Sequence, residues 1–177
     1  MQKARAAWIV NGLAPGAGTV ISFPAAIDMR LIGLEVTIGM SPGDLTATGD
    51  ILLFFDATLS RGAPPTFVPS SSVPTPADVQ LQADPSFGFV ESYNPNAVSQ
   101  DIPTVLTGNI LGSAYIAGIL PSNSDGTAAA TNEVLNFSVD SEVRSGDYLV
   151  FHLETGLGSA VPLNVYLAIS AKYDLLP

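Results

Sequence analysis

The chain has no cysteine, one histidine and very few charged residues. Without cysteine it has no disulfide framework, no thiolate metal site and no cysteine nucleophile. The lone His152 excludes sites built from several histidine ligands and leaves one candidate imidazole base. Charged residues make up 12% of the 177 residues, about half the share found in ordinary soluble domains. We therefore expect a charge-poor surface that is covered by copies of the chain or by partners.

The few charges are also unbalanced. Sixteen acidic residues stand against six basic ones, which gives a formal net charge of −10 and a pI near 4.1. Nucleic-acid binding requires clustered Lys and Arg that displace counterions, so nucleic acid is not an expected partner. The apolar run Ala6 to Val10 ends at Asn11 and Gly12, before it reaches the length of a signal peptide. The sequence predicts no cleaved secretory signal.

No window shows a sustained helical period, whereas alternation of apolar and polar residues is frequent. Alternation is typical of strands with one buried face, because successive side chains point to opposite faces. The clearest examples are Arg30 to Met40, with Ile32, Leu34, Val36, Ile38 and Met40 on one face, and Leu135 to Val139, Leu149 to Leu153 and Leu163 to Ala171. The segment Ile51 to Phe55 is apolar on both faces, as in a central strand. Further strand candidates are Ala7 to Val10, Thr19 to Phe23, Val79 to Gln82, Phe87 to Ser92 and one or two within Thr104 to Leu120.

These strands predict an all-β fold. With 16 Gly and 14 Pro as breaks, about eight to ten short strands favour a single antiparallel β-sandwich over residues 1–177, with a jelly roll as the expected variant. Residues 1–18 form an N-terminal strand and a Gly-rich turn. The stretch Arg61 to Asp78 holds five Pro and reads as a long extended loop or arm. A loop of that length is usually mobile or bound to a partner.

The Gly-rich turn "GLAPGAGT", Gly12 to Thr19, invites comparison with a phosphate-binding loop. Counted from Gly12 in the pattern G-x-x-x-x-G-K-[ST], Gly18 stands where the lysine belongs, and in G-x-G-x-x-G the third place holds Ile21. Both loops also need a following helix, whose N-terminal amides hold the phosphate. A strand follows here, so the sequence indicates an inter-strand turn.

The segment Ile102 to Leu120 carries no charge and contains Gly108-x-x-x-Gly112, a spacing found in membrane helices. Polar residues within it and the absence of flanking Lys or Arg favour buried strands over a membrane span. In the loop Asn123 to Gly126 the calcium-loop pattern fails, because Pro121 occupies the first ligand position. Neither segment predicts a membrane or metal partner.

Candidate catalytic groups are few. The alternation places His152 on the outward face of its strand, as a surface or interface residue with no Ser or Asp at a triad spacing. Asp140 and Glu142 are close in sequence, but at a strand end they are expected to be solvated charges and not a pair of catalytic acids. We predict no catalytic, cofactor-binding or metal-binding residues, and no enzyme activity.

One stretch carries a family resemblance. The segment Val143 to Leu153, "VRSGDYLVFHL", followed by the apolar strand Leu163 to Ala171, resembles the end of small jelly-roll proteins that decorate bacteriophage virions or build their fibres and tail parts. The resemblance implies a non-enzymatic, oligomeric virion component made in the host cytoplasm. The motif also occurs in trimeric signalling and carbohydrate-binding jelly rolls, so a carbohydrate-binding or host-attachment module is the alternative.

As a virion subunit the protein is expected to bind copies of itself, as a trimer above other forms, and other virion proteins. The arm and the two terminal segments are the expected contacts, through Trp8, Pro64, Pro65, Phe67, Val68, Tyr173, Leu175 and Leu176. If a glycan is bound, exposed aromatic rings are expected to stack on it. The candidates are Tyr93, Tyr115, Tyr148 and Tyr166.

Overall fold

The computed structural model describes residues 1–13, 15–16, 18–42, 50–62, 79–83, 109–119, 131–156 and 163–177. Within these residues the chain forms nine strands and no helix. The strands are β1 (Gln2–Leu13), β2 (Gly18–Pro24), β3 (Met29–Pro42), β4 (Asp50–Ser60), β5 (Val79–Ala83), β6 (Asn109–Ile119), β7 (Thr131–Val143), β8 (Tyr148–Thr155) and β9 (Leu163–Leu175).

The strands form two antiparallel sheets. Sheet A has the order β5-β1-β9-β3-β7 and sheet B the order β2-β8-β4-β6. Apart from β5, each sheet has four strands whose connections cross repeatedly between the sheets, which is the eight-stranded arrangement of a jelly roll. The fold class predicted from the sequence is confirmed. β5 belongs to the connection between β4 and β6 and extends sheet A at the edge of β1.

Both sheets bury one face in a common core. Four phenylalanine rings cross it in series from the side of β2 to the side of β7. The ring centroids of Phe23 and Phe151 lie 5.8 Å apart, and Phe55 lies 6.1 Å from both Phe151 and Phe137. Because aromatic rings bury large apolar areas and also interact through their edges and faces, this series is a main source of stability.

Among the described residues, the core is more completely buried on one side of the sandwich than on the other. At the side of β1 and β2 the large side chains Trp8 and Phe23 are fully buried. At the side of β6 and β7 the inward-facing apolar residues Ile116, Leu135 and Phe137 are only partly buried. Apolar surface therefore reaches solvent between the edges of the two sheets on that side.

The alternation of β3 changes phase at a β-bulge. Pairing of β3 with both neighbouring strands shifts register between Leu31 and Gly33. Met29 and Leu31 are buried before the shift, and Leu34 is buried after it. Ile32, predicted to share the face of Leu34, is only partly buried, because the bulge inserts one residue and so reverses the alternation.

The Gly-rich segment joins two strands, as predicted. Gly12 and Gly16 have φ angles of 69° and 72°, a backbone region that suits glycine and few other residues. The strand β2 begins at Gly18, so no helix N-terminus is present there to hold a phosphate.

The segment Ile102 to Leu120, which the sequence analysis weighs as a membrane span, is described from Asn109 onward, and this part up to Ile119 is a strand. None of the described residues belongs to a helix long and apolar enough to cross a bilayer.

Candidate functional site

The predicted assembly contact Trp8 lies in the core. Ala4, Ala6, Trp8 and Val10 point inward from β1, and the Trp8 side chain has no exposed surface. Since β1 lies between β5 and β9, it is not an edge strand. The prediction that Trp8 touches a neighbouring subunit is therefore wrong for this fold. The large aromatic side chain of Trp8 instead fills part of the core.

The other predicted contacts differ in their surroundings. Tyr173 is 5% exposed and belongs to the core, so it offers little surface to a neighbour. Leu175 is 59% exposed, and Leu176 is partly exposed while its amide donates to the carbonyl of Asp28 at 3.2 Å. Pro64, Pro65, Phe67 and Val68 lie outside the described residues, as do Tyr93, Phe87 to Ser92 and Asn123 to Gly126.

The start of the Pro-rich arm is held by a buried carboxylate. Asp147 Oδ2 accepts from the Arg61 guanidinium at 2.7 Å and from the Arg144 amide at 2.9 Å, and its Oδ1 accepts from the Gly62 amide at 3.0 Å. Arg61 also donates to the carbonyl of Glu142 at 2.6 Å. The end of β4 is thereby fixed to the turn between β7 and β8. Within the family-like motif "VRSGDYL", the aspartate anchors this turn and the first residues of the arm.

Asp147 is ionised in this setting. Burial alone raises its pKa, but the hydrogen bonds from the Arg144 amide, the Arg61 side chain and the Gly62 amide outweigh burial and hold the pKa below its ordinary value of 3.8. Gly146, with φ of 91°, allows the tight turn, and its amide donates to the carbonyl of Ala25 at 3.0 Å. Hydrogen bonds thus join three segments at one end of the sandwich: the residues after β4, the turn between β7 and β8, and the connection between β2 and β3.

The two carboxylates that the sequence analysis weighs as catalytic acids, Asp140 and Glu142, are bound to arginines. Asp140 receives two hydrogen bonds from Arg30, at 2.7 and 2.9 Å, and Glu142 receives one from Arg144 at 2.9 Å. Arg30 holds the pKa of Asp140 below its ordinary value, which is the opposite of what a general acid needs. Arg144 also bonds Asp28, whose pKa is lowered first by the hydrogen bond from the Ser145 amide and then by Arg144.

His152 lies on the outward face of β8, as the alternation predicts, but it is only 1% exposed, so the expected surface position is wrong. The alternation of apolar and polar residues predicts on which face of the strand His152 lies. It does not predict that this outward face is buried, as it is at Val150 and Thr58. Cross-strand register sets His152 beside Asp56, with Nδ1 3.4 Å from the carboxylate Oδ2. This pair was missed because its members are far apart in sequence.

Asp56 also accepts a hydrogen bond from Ser113 on its other side. Burial raises the pKa of Asp56, but the hydrogen bonds from His152 and Ser113 together leave it below its ordinary value. The order Ser113, Asp56, His152 across the sheet differs from a catalytic triad, in which the histidine lies between the other two. Among the described residues, the His152 Nε2 has no hydrogen-bond partner.

The outer face of sheet A is divided into a charged and an uncharged part. The charged residues lie toward the end that holds Asp147 and include Lys3, Arg5, Arg30, Glu35, Glu142 and Lys172. The rows beyond them form what we call the uncharged half-face, which consists of Ala7, Ile9, Thr37, Gly39, Asn132, Val134, Asn164, Tyr166 and Ala168. Val134 is 58% and Tyr166 46% exposed.

A shallow concavity lies within the uncharged half-face. It has a volume of about 260 Å³ and is lined by Ile9, Asn132, Asn164, Tyr166 and their neighbours. The Tyr166 ring covers Gly39 so closely that a side chain at position 39 would overlap it. Glycine here lets the aromatic ring lie flat on the sheet. The result is a shallow, uncharged surface on which the Tyr166 ring covers Gly39.

Sheet B carries an exposed aromatic pair. Phe54 and Tyr115 face each other across β4 and β6, with ring centroids 4.8 Å apart, and are 40% and 55% exposed. Asp56 and Ser113 occupy the adjacent row. Of the four tyrosines named from the sequence, Tyr115 and Tyr166 are exposed and Tyr148 is partly buried.

No family model matches the chain, and no curated protein matches it significantly. Among the described residues, no group of three or more His, Cys, Asp or Glu side chains is placed to hold a metal ion. The candidate site is therefore a set of surfaces: the uncharged half-face, the aromatic pair, and the anchored start of the arm.

Proposed function

We propose that the protein is a non-enzymatic structural component of a bacteriophage virion, a capsid-surface decoration or accessory subunit that acts by assembling into an oligomer. The observation that carries this proposal is the uncharged half-face. A protein with a net charge of −10 repels its own copies, and a surface without charge gives two copies a place to meet. Jelly rolls are common in viral capsids, and the resemblance of Val143 to Leu153 supports the same location.

The self-association part of the proposal is tested by native mass spectrometry at micromolar concentration. We expect a multiple of the 18.3 kDa chain mass, and a clean monomer would overturn the proposal. The virion part is tested by searching purified phage particles for peptides of this chain, whose absence would leave only a self-associating protein.

A single charge on the uncharged half-face should weaken assembly. Ala168 is exposed on the central strand β9, so Ala168→Glu adds a carboxylate that must lose water or meet its own copy when two faces pack. We expect at least about a tenfold weaker association. Ser138→Glu, on the exposed face of β7 in the charged part of sheet A, is the matched control and should assemble as the parent does. Equal association of the two variants would contradict a role for this face.

The aromatic pair favours a second function, carbohydrate binding in host attachment. Exposed Phe54 and Tyr115 rings offer apolar faces for the C–H groups of a sugar. The adjacent Asp56 carboxylate and Ser113 hydroxyl offer hydrogen-bond partners for sugar hydroxyls. With Asp56 ionised, a neutral glycan is favoured over an acidic one.

If the pair binds a glycan, Tyr115→Ala should abolish a signal that the parent gives on a glycan array. Loss of one stacking ring is expected to weaken binding about tenfold or more. Tyr166→Ala removes an exposed tyrosine from the other sheet and should leave that signal unchanged. An array on which the parent binds nothing would discard this second function and leave assembly standing.

A further inference from the structure

The outermost strands of the two sheets differ in how they are protected against pairing with another chain. An edge strand presents unpaired backbone N–H and C=O groups, and proteins protect it with charge, proline or short length. β5 is short, β2 ends at Pro24, and β7 carries Glu133, Asp140 and Glu142. β6 has none of these protections: its eleven residues, Asn109–Ile119, include no charge and no proline.

The free edge of β6 is regular over most of its length. A bulge interrupts its pairing with β4 between Ile110 and Gly112, and from Gly112 to Ile119 the register is continuous. No described strand lies on the other side of β6. This segment is therefore a long, regularly paired strand that can serve as a template for one more antiparallel strand.

Apolar side chains around this edge are incompletely covered. Ile110 is 71% exposed, and Leu111 and Ile116 of β6 are only partly buried although they pack against the core. On the facing strand β7, Leu135 and Phe137 are also only partly buried. A chain placed along β6 would cover this apolar surface and satisfy the backbone groups of the edge at the same time.

We propose that β6 pairs antiparallel with β6 of a second copy of this chain about a twofold axis, so that two copies of sheet B become one continuous sheet. The charge distribution favours β6 over β7 as the edge that meets a second copy. Pairing of β7 with its own copy would bring Glu133, Asp140 and Glu142 together, whereas β6 brings no charge of its own to the contact. A twofold contact uses the same surface on both copies and closes on itself.

The inference rests on the proposed function, since it adds a second contact between subunits, at the edge of sheet B, to the contact through the uncharged half-face of sheet A. On the outer face, the pairing brings the Phe54 and Tyr115 rings of the two copies toward one another, which extends the exposed aromatic surface across the joined sheet. The sequence favours three copies, whereas a twofold contact gives two or another even number.

Cysteine cross-linking tests the pairing directly. The chain has no cysteine, so each single-cysteine variant places one thiol. In antiparallel pairing about a twofold axis, one residue faces its own copy at a Cα separation of about 4.5 to 5.5 Å, which suits a disulfide. Single cysteines are placed in turn at positions 113–117. Ser138→Cys, exposed on β7, is the matched control.

Under mild oxidation, we expect one position within 113–117 to give about tenfold more covalent dimer than Ser138→Cys, with yields falling on either side of it. If no position exceeds the control while the parent is an oligomer, the β6 pairing is overturned and the proposed function stands. A native mass that corresponds to an odd number of chains would also overturn the β6 pairing and leave the proposed function standing. A monomeric parent overturns both.

Hydrogen exchange of the unmodified protein keeps the test independent of any variant that fails to fold. Amides of Gly112–Ile119 should lose protection when the oligomer is diluted to monomers, while amides of the central strand β9 should keep theirs. Unchanged protection of β6 on dissociation would contradict the pairing.

Discussion

Phe55→Ala should destabilise the protein by about 3 to 5 kcal/mol, which is a large part of the total stability of an ordinary domain. Phe55 has no exposed surface and lies between the rings of Phe151 and Phe137, at 6.1 Å from each. Its removal leaves a cavity in the middle of the aromatic series and breaks two ring contacts. The free energy of unfolding is measured by urea denaturation, with parent and variant at the same protein concentration, because any self-association contributes to the measured stability.

The neighbouring residue supplies the control. Phe54→Ala makes the same chemical change one position earlier, but Phe54 points to the outer face and is 40% exposed. We expect a loss of about 1 kcal/mol or less, from the contact with Tyr115. Comparable losses in the two variants would show that the face assignment of β4 is wrong.

Asp147→Asn should cost about 2 to 3 kcal/mol at neutral pH. The carboxylate accepts hydrogen bonds from Arg61, Gly62 and Arg144 and is almost fully buried. An amide removes the charge and turns an NH₂ group toward donors that then lack an acceptor. Asp140→Asn, which breaks the exposed pair with Arg30, should have little effect because water screens that interaction.

The effect of Asp147→Asn should depend on pH in a defined direction. The pKa of Asp147 is lower in the folded protein than its ordinary value of 3.8, so its contribution to stability is present above that value. This contribution is lost as the pH falls through the lowered pKa of the folded state. Denaturation curves of parent and variant should therefore differ most at neutral pH and converge below about pH 4. A difference that stays constant into acid would contradict the role of the charge.

Strand identity could be predicted from the sequence because it depends on local alternation. The segments around Val36, Phe137, Phe151 and Leu167 all lie in strands, and the both-faced apolar run at Leu53 lies in a central strand. Alternation also gave the outward direction of His152. It could not give the burial of that face, since burial depends on what packs above a strand and not on the strand's own sequence.

The contacts that define the candidate surfaces could not be predicted, because they join distant parts of the chain. Asp147 belongs to the segment Val143 to Leu153 that the sequence analysis singles out, but its partners Arg61 and Gly62 lie at the end of another strand. The segregation of charge on sheet A likewise depends on which strands are neighbours. Trp8 shows the converse error: a terminal position in sequence became an interior strand once β5 paired with β1.

The position of β9 in sheet A has a consequence for synthesis. β9 lies between β1 and β3 and pairs with both along most of their length, yet it is translated after the other eight strands that the structure describes. Until β9 has left the ribosome, β1 and β3 have no strand between them, so the five strands of sheet A cannot form one continuous sheet. Folding of the sandwich is therefore a step that follows translation of this region. A chain truncated before β9 lacks the strand that joins β1 to β3 and the residues that β9 contributes to the uncharged half-face.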